Sequence, residues 1–144
     1  MPYFKKYKNL SLKPALFLKA KVAFIRIIDQ GVSVSYGRKF VSSRKTKLAV
    51  LSIGYADGVP RNLSGKIKVI HNKKLYPQVG SITMDQMMVD ITGSNEIEVG
   101  STMVLLGSDG DKTISPADWA KVSNTIPWEI LCSFKNRLPR VQVD

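Results

Sequence analysis

Apolar residues recur along this chain in short runs, alternating in some places and continuous in others. Turn residues separate them at intervals of about ten, the spacing of strands rather than helices. Over residues 14–29 (PALFLKAKVAFIRIID) one parity carries Phe17, Lys19, Lys21, Ala23 and Ile25, and the other Leu16, Leu18, Ala20, Val22 and Phe24. The second set is the apolar one, which predicts a half-buried strand with Phe24 on its inner face. Gln30-Gly31 reads as a turn and residues 32–36 as a short strand. Residues 47–55 (KLAVLSIGY) form a nearly continuous apolar run suited to burial on both faces, ended by the loop signal Ala56-Asp57-Gly58. Further strands are predicted over 66–70 and 74–80, joined across His71-Asn72-Lys73, then over 86–92 and 102–106, the last closed by Gly107-Ser108-Asp109-Gly110.

One convincing helix begins at Ser115-Pro116, a serine cap before a proline at the first helical position, and runs to about Asn124. A second helical segment restarts at Thr125-Ile126-Pro127 and continues through Phe134, and residues 137–143 read as a closing strand. No repeat, low-complexity tract or linker divides the chain, so residues 1–144 are expected to form one domain, mainly β and barrel-like, with one or two short helices near the C-terminus.

At 144 residues and 44% hydrophobic content the chain can bury a continuous core. No apolar run is long enough to span a bilayer, and the Lys-rich opening lacks a signal core, which predicts a soluble, cytoplasmic protein without a membrane partner. A single cysteine, Cys132, allows neither an internal disulfide nor a thiolate metal site. The net charge of +11, from 22 Lys and Arg against 11 Asp and Glu, raises the prospect of an anionic partner. Its scatter over Lys5, Lys6, Lys8, Arg44, Lys45, Lys47, Lys73 and Lys74 suits solvated loops and strand faces better than a nucleic-acid patch.

Five ordered segments carry a more specific signal. They are Lys13-Pro14-Ala15-Leu16, Val34-Ser35-Tyr36-Gly37, Gly54-Tyr55-Ala56-Asp57-Gly58 with Arg61, Val79-Gly80 followed by Met84-Asp85-Gln86, and Pro127-Trp128-Glu129-Ile130-Leu131-Cys132 closing with Arg137-Leu138-Pro139-Arg140. In order and spacing the set resembles the C-terminal β domain of alanine racemases, bacterial enzymes that interconvert L- and D-alanine for peptidoglycan. The resemblance implies a second part, an N-terminal barrel whose lysine binds pyridoxal 5'-phosphate covalently. That lysine lies outside this chain, residues 1–13 resemble the connection leaving the barrel, and the isolated chain is expected to be inactive. It also implies a head-to-tail homodimer in which this domain completes the partner subunit's active site.

Racemisation needs a base on each side of a planar carbanion. By resemblance one base is the barrel lysine and the other is Tyr36, which would take the α proton of L-alanine. A tyrosine in this role faces an obstacle: a phenol pKa near 10 leaves about one phenolate in a thousand at neutral pH, a deficit of roughly 4 kcal/mol that neighbouring groups must offset. Tyr55 resembles a tyrosine lining the substrate approach. Asp57 and Gly58 would shape its loop, and Arg61 would anchor nearby carboxylates. Met84 resembles the residue whose backbone N–H holds the substrate carboxylate, and Asp85 one that orients a barrel arginine.

Two positions depart from the family pattern. Thr83 stands where many members have cysteine. Trp128 stands where many have a tyrosine that touches the cofactor phosphate and narrows the approach; an indole N–H donates a hydrogen bond but accepts none, so that contact is in doubt. His71, the only histidine, sits in a polar turn without a second ligand at metal spacing, and no metal site is expected. Glu96 and Glu98 are expected to be solvated. A competing reading is a basic β-barrel module that binds single-stranded nucleic acid or another polyanion, with Phe17, Phe24 and Tyr76 as stacking platforms. Against it, the aromatics do not interleave regularly with the basic residues.

Overall fold

A computed structural model describes residues 14–142. The expectations for residues 1–13 lie outside it. Among the described residues the strands are β1 (Leu18–Ile28), β2 (Ser33–Val34), β3 (Phe40–Val41), β4 (Thr46–Leu51), β5 (Lys68–His71), β6 (Lys74–Val79), β7 (Met87–Asp90), β8 (Thr102–Asp109) and β9 (Lys112–Ile114), followed by the helices α1 (Pro116–Ser123) and α2 (Pro127–Cys132). One sheet runs in the order β1-β4-β7-β6-β5-β8-β9, and β1 also pairs with β8, so the sheet closes into an antiparallel barrel with β9 as an outward hairpin extension. Closure removes the exposed sheet edges that would otherwise invite pairing with other chains.

The eleven residues of β1 serve two neighbours. The first half pairs with β8 and the second with β4, and the register shifts between Val22 and Phe24. An extra residue in a strand reverses the parity beyond it. Leu18, Ala20 and Val22 therefore face the interior as expected, but beyond the bulge Ile25 takes the inner side and Phe24 turns out, 56% exposed. The expectation for Phe24 is corrected by that one-residue bulge, which no alternation pattern signals.

β4 is buried on both sides, as its continuous apolar run predicted. Ala49 and Leu51 face the barrel core, whereas Leu48 faces a second, smaller cluster with Ile28, Val34 and Val79. What covers that outer face is the short hairpin β2–β3, joined by Ser33↔Val41 and Val34↔Phe40. Residues 32–36 thus give only a two-residue strand, and Tyr36 leaves it for a 3-10 turn, Tyr36–Arg38, at the hairpin tip. Val34 is 6% exposed and anchors the hairpin in the small cluster.

At one end of the barrel α1 inserts Trp119 and Ala120 into the core. Its start follows the sequence closely: Ser115 Oγ accepts from the Asp118 N–H at 3.2 Å, and the Asp118 carboxylate accepts from the Ser115 N–H at 2.7 Å, a reciprocal capping box. Asn124 ends the helix in the left-handed region, and Ile130 of α2 is buried beneath it. The expected closing strand over 137–143 is absent among the described residues: Arg137 pairs with Asp57 and Asp85, Leu138 donates its N–H to the Lys135 carbonyl, and no described residue of the segment enters a sheet ladder. The strand expected to stop at Leu106 continues through Gly107 to pair with β9, and β3 and β9 were not anticipated. Tyr76 is a core residue, 8% exposed, and cannot serve as a stacking platform. His71, expected in the turn, instead ends β5 opposite Lys74, and its Nδ1 donates to the Thr102 carbonyl at 2.8 Å. No helix is long and apolar enough to cross a membrane.

Candidate functional site

Four of the five ordered sequence segments meet at the rim between β4 and β7. Gly54-Tyr55-Ala56 lies against the tight turn that joins β6 to β7: Tyr55 donates its N–H to the Thr83 carbonyl and Ala56 to the Met84 carbonyl, both at 3.0 Å. A Cβ on Gly54 would sit 2.2 Å from the Thr83 oxygen and 2.4 Å from the Met84 oxygen, so the backbones approach as closely as only glycine allows. The β6–β7 turn is itself closed by Thr83, whose N–H and hydroxyl both reach the Gln86 carbonyl at 2.9 Å. Met84 and Asp85 stand at its tip, and Met84 is 53% exposed. Among the described residues the Met84 N–H has no acceptor.

The 3-10 turn Tyr55–Asp57 buries its last residue. Asp57 is 5% exposed, and its Oδ2 accepts from the Gly54 N–H at 2.9 Å, fixing the turn from within. Its other oxygen lies 2.9 Å from Arg137 Nε, and the same guanidinium donates through Nη2 to Asp85 at 2.6 Å. Both carboxylates hold the Arg137 guanidinium above its ordinary pKa, the hydrogen bond to Asp85 contributing most and the charge of Asp57 next. One arginine from beyond α2 therefore couples the Tyr55 turn to the Met84 turn.

The sequence led us to expect Arg61 to anchor nearby carboxylates; among the described residues Arg137 does so instead. Arg61 opens a 3-10 turn whose buried residue is Leu63, so its side chain faces out and forms no ion pair among the described residues. Arg137 reaches the site because its segment packs under the loop: Lys135 donates its N–H to the Asp57 carbonyl at 3.1 Å, and Ser133 its hydroxyl to the Gly58 carbonyl at 2.6 Å. A Cβ on Gly58 would meet the Ser133 oxygen at 2.2 Å. Sequence reasoning quoted the Arg137 segment for its resemblance but gave it no function; its basic residue, following a helix that ends beside an acidic loop, was the available signal.

Tyr36 joins the same rim through residues 80–82. The Ser81 hydroxyl donates to the Tyr36 carbonyl at 2.9 Å, and the Ser35 hydroxyl to the Ser81 carbonyl at 2.7 Å. Tyr36 itself is 71% exposed. Residues 80–85 thus have the Tyr36 hairpin at one end and the Tyr55 turn at the other. Trp128 is in the first turn of α2, 53% exposed, and no hydrogen bond among the described residues ties it to Tyr36, Tyr55, Met84 or Asp85. Its link is indirect, through the Ser133 contact at the far end of α2.

Tyr36, Tyr55, Met84 and Trp128 are all exposed and enclose nothing. Two concavities open elsewhere, one lined by Lys66, Ile67, Leu75, Ile114 and Trp119 and another by Pro60, Asn62, Ser123, Glu129 and Ile130. The arrangement is an open surface rather than a pocket. It presents a phenol, an unpaired amide and an arginine-carboxylate relay on a surface that needs an opposing face to exclude water.

The family described as the C-terminal domain of alanine racemase matches residues 15–142. The chain is 56% identical over 135 residues to an alanine racemase of Prochlorococcus marinus, which takes in 94% of this chain and 35% of that protein. To an alanine racemase of Synechocystis it is 51% identical over 134 residues, 93% of this chain and 36% of that protein. The chain thus spans about a third of the length of the curated relatives it matches. Among solved structures, the alanine racemase of Bacillus anthracis with bound L-Ala-P superimposes with a TM-score of 0.90 at 35% identity, covering 99% of this chain and 36% of that one. The alanine racemase of Bartonella henselae with covalently bound pyridoxal phosphate does so at 0.85 and 36% identity, covering 94% and 37%.

Proposed function

The chain belongs to the alanine racemase C-terminal domain family, and from that premise we propose that it forms one wall of a racemase active site, interconverting L- and D-alanine when an N-terminal barrel supplies the other. The observation that carries this reading is the convergence of Tyr36, Tyr55 and Met84 on residues 80–85, with their side chains exposed and the Met84 amide without an acceptor among the described residues. The proposal includes a homodimer in which this wall faces the partner subunit's barrel, in the cytoplasm of a bacterium, with D-alanine destined for peptidoglycan.

Pyridoxal phosphate does not fit these residues as its holder. Holding it would take a lysine and several phosphate donors around a cavity, and among the described residues the wall offers neither enclosure nor a cluster of donors. When bound by the barrel, the group would supply the electron sink that makes an α proton removable. What this chain contributes is the handling of that proton and of the substrate carboxylate. The Tyr36 phenolate oxygen takes the proton from Cα of L-alanine and returns it in the reverse direction, while a base on the opposite face serves the D isomer. The Met84 N–H donates to the substrate carboxylate, and Asp85 is held in place by Arg137. Tyr55 narrows the approach. Trp128 packs at the margin of the wall, where its indole can donate one hydrogen bond and accept none.

The test is exchange of the α proton with deuterated water in the holoenzyme carrying Tyr36→Phe. D-alanine should continue to exchange through the opposite base, while exchange of L-alanine and net racemisation should fall by at least about 10²-fold. Equal, small losses for both isomers would remove Tyr36 from the role. Racemisation by residues 1–144 alone with added pyridoxal phosphate would overturn the division of labour between the two domains.

A further inference from the structure

A base must be aimed as well as ionised, and Tyr36, 71% exposed at a hairpin tip, has little side-chain packing among the described residues to aim it. Direction must come from its backbone. The residue before it, Ser35, has φ 64° and ψ −173°. That combination is one that only glycine adopts at ease. A glycine at 35 would relax the backbone, yet the chain has serine there, and what serine adds is a hydroxyl. This hydroxyl donates to the Ser81 carbonyl at 2.7 Å, and the Ser81 hydroxyl donates back to the Tyr36 carbonyl at 2.9 Å. Ser81 is only 1% exposed, so its hydroxyl has no water to fall back on. Between them Gly80, at φ 70°, lets the strands close to contact: a Cβ there would lie 2.8 Å from the Val34 oxygen and 3.1 Å from the Ser35 Cβ.

We propose that Ser35 and Ser81 are positioning residues, a reciprocal hydroxyl clamp that holds the strained backbone before Tyr36 and thereby aims its phenol at the substrate. The proposal rests on the reading of Tyr36 as the base. Neither serine touches the reacting atoms; each acts through the direction it gives Tyr36. A misplacement of about 1 Å at a reacting group can reduce a rate by about 10²-fold, so losing either hydroxyl should be felt in proton transfer more than in substrate binding. Stability should behave differently at the two positions. Ser35→Gly removes the hydroxyl and the strain together, whereas Ser81→Ala leaves the strain and orphans the Tyr36 carbonyl.

The experiment compares Ser35→Gly, Ser81→Ala and Tyr36→Phe in the holoenzyme by deuterium wash-in at Cα of each isomer, by KM and kcat, and by melting temperature. Expected for Ser35→Gly is a melting temperature equal to or above the parent, with L-alanine wash-in and kcat lowered by about 10- to 100-fold, KM within about twofold and D-alanine wash-in largely kept. Ser81→Ala should share the kinetic pattern with a lower melting temperature. Should it fail to fold, Ser35→Gly still decides, because glycine suits that backbone. If both serine variants keep L-alanine wash-in within about twofold while Tyr36→Phe loses it, the clamp is refuted and the base remains. If Tyr36→Phe itself keeps L-alanine wash-in, the base reading fails and the clamp falls with it.

Discussion

The barrel interior and the rim that bears Tyr36, Tyr55 and Met84 obey opposite rules. Inside, Leu51, Met87, Met103 and Leu105 are fully buried on regular strands, held by the removal of apolar surface from water. At the rim the same chain leaves its strands for 3-10 turns, bends through positive φ at Ser35, Gly37, Arg38 and Gly58, and exposes its large side chains. Hydrogen bonds and a single arginine hold it together there. A site must present polar groups and unspent surface to a ligand, so it stands on a rigid scaffold without sharing the scaffold's means of stability.

The sharpest way to break the contrast lies within one strand pair. Leu51 sits in the core opposite Val22, whereas Phe24, beyond the bulge, faces outward. Leu51→Ala should destabilise the domain by about 2–5 kcal/mol, since both transfer energy and a cavity are involved. Phe24→Ala should stay within about 0.5 kcal/mol. Urea unfolding of the two variants reads the difference. Equal losses would mean that the parity does not reverse at the bulge.

The same contrast governs what the sequence disclosed. Alternation in residues 14–22, the continuous run in β4 and the Ser115-Pro116 cap were legible because burial and capping leave local marks. The bulge was not, because one inserted residue changes no composition. β9 went unforeseen for a related reason: Gly107 reads as a strand terminator, yet it continues β8, at φ 119°, where a Cβ would strike the Phe17 ring. Of the rim, the motif segments were visible, and their resemblance named the family. What stayed hidden was the wiring: Arg137 on Asp57 and Asp85, and Ser35 on Ser81, join residues 46 to 80 positions apart, and such pairings leave no trace in local periodicity.

Gly54 blurs the boundary between the two regions, being a rim residue packed as tightly as the interior. Its φ of −151° is open to any residue, so the demand for glycine is one of space alone. Gly54→Ala must drive the Tyr55 turn away from the Met84 turn, at a cost of about 1–3 kcal/mol. Because the displaced backbone is the one bearing Tyr55, KM for alanine should rise in the holoenzyme together with the loss in thermal stability. A variant that lost stability and kept its KM would separate the close approach from substrate binding.

The smallest effect belongs to a place that resembles neither region, the tip of the β8–β9 hairpin. There Lys112 donates to Asp111 at 2.6 Å, and this hydrogen bond, with the lysine charge, holds the Asp111 carboxyl below its ordinary pKa. A carboxyl lowered in the folded state stabilises above its unfolded pKa, near 4, and that contribution disappears as pH falls through the lower folded value. Asp111→Asn should therefore shift the urea midpoint slightly downward at pH 7 and not at all near pH 2. The shift is expected to be slight because the Asp111 carboxylate is exposed to solvent, and because the two residues are neighbours in sequence, so the unfolded chain keeps much of the same attraction. A deficit that grew toward acid would reverse the sign of the argument, and a large one at neutral pH would show that this exposed pair does for the hairpin what Arg137 does for the rim.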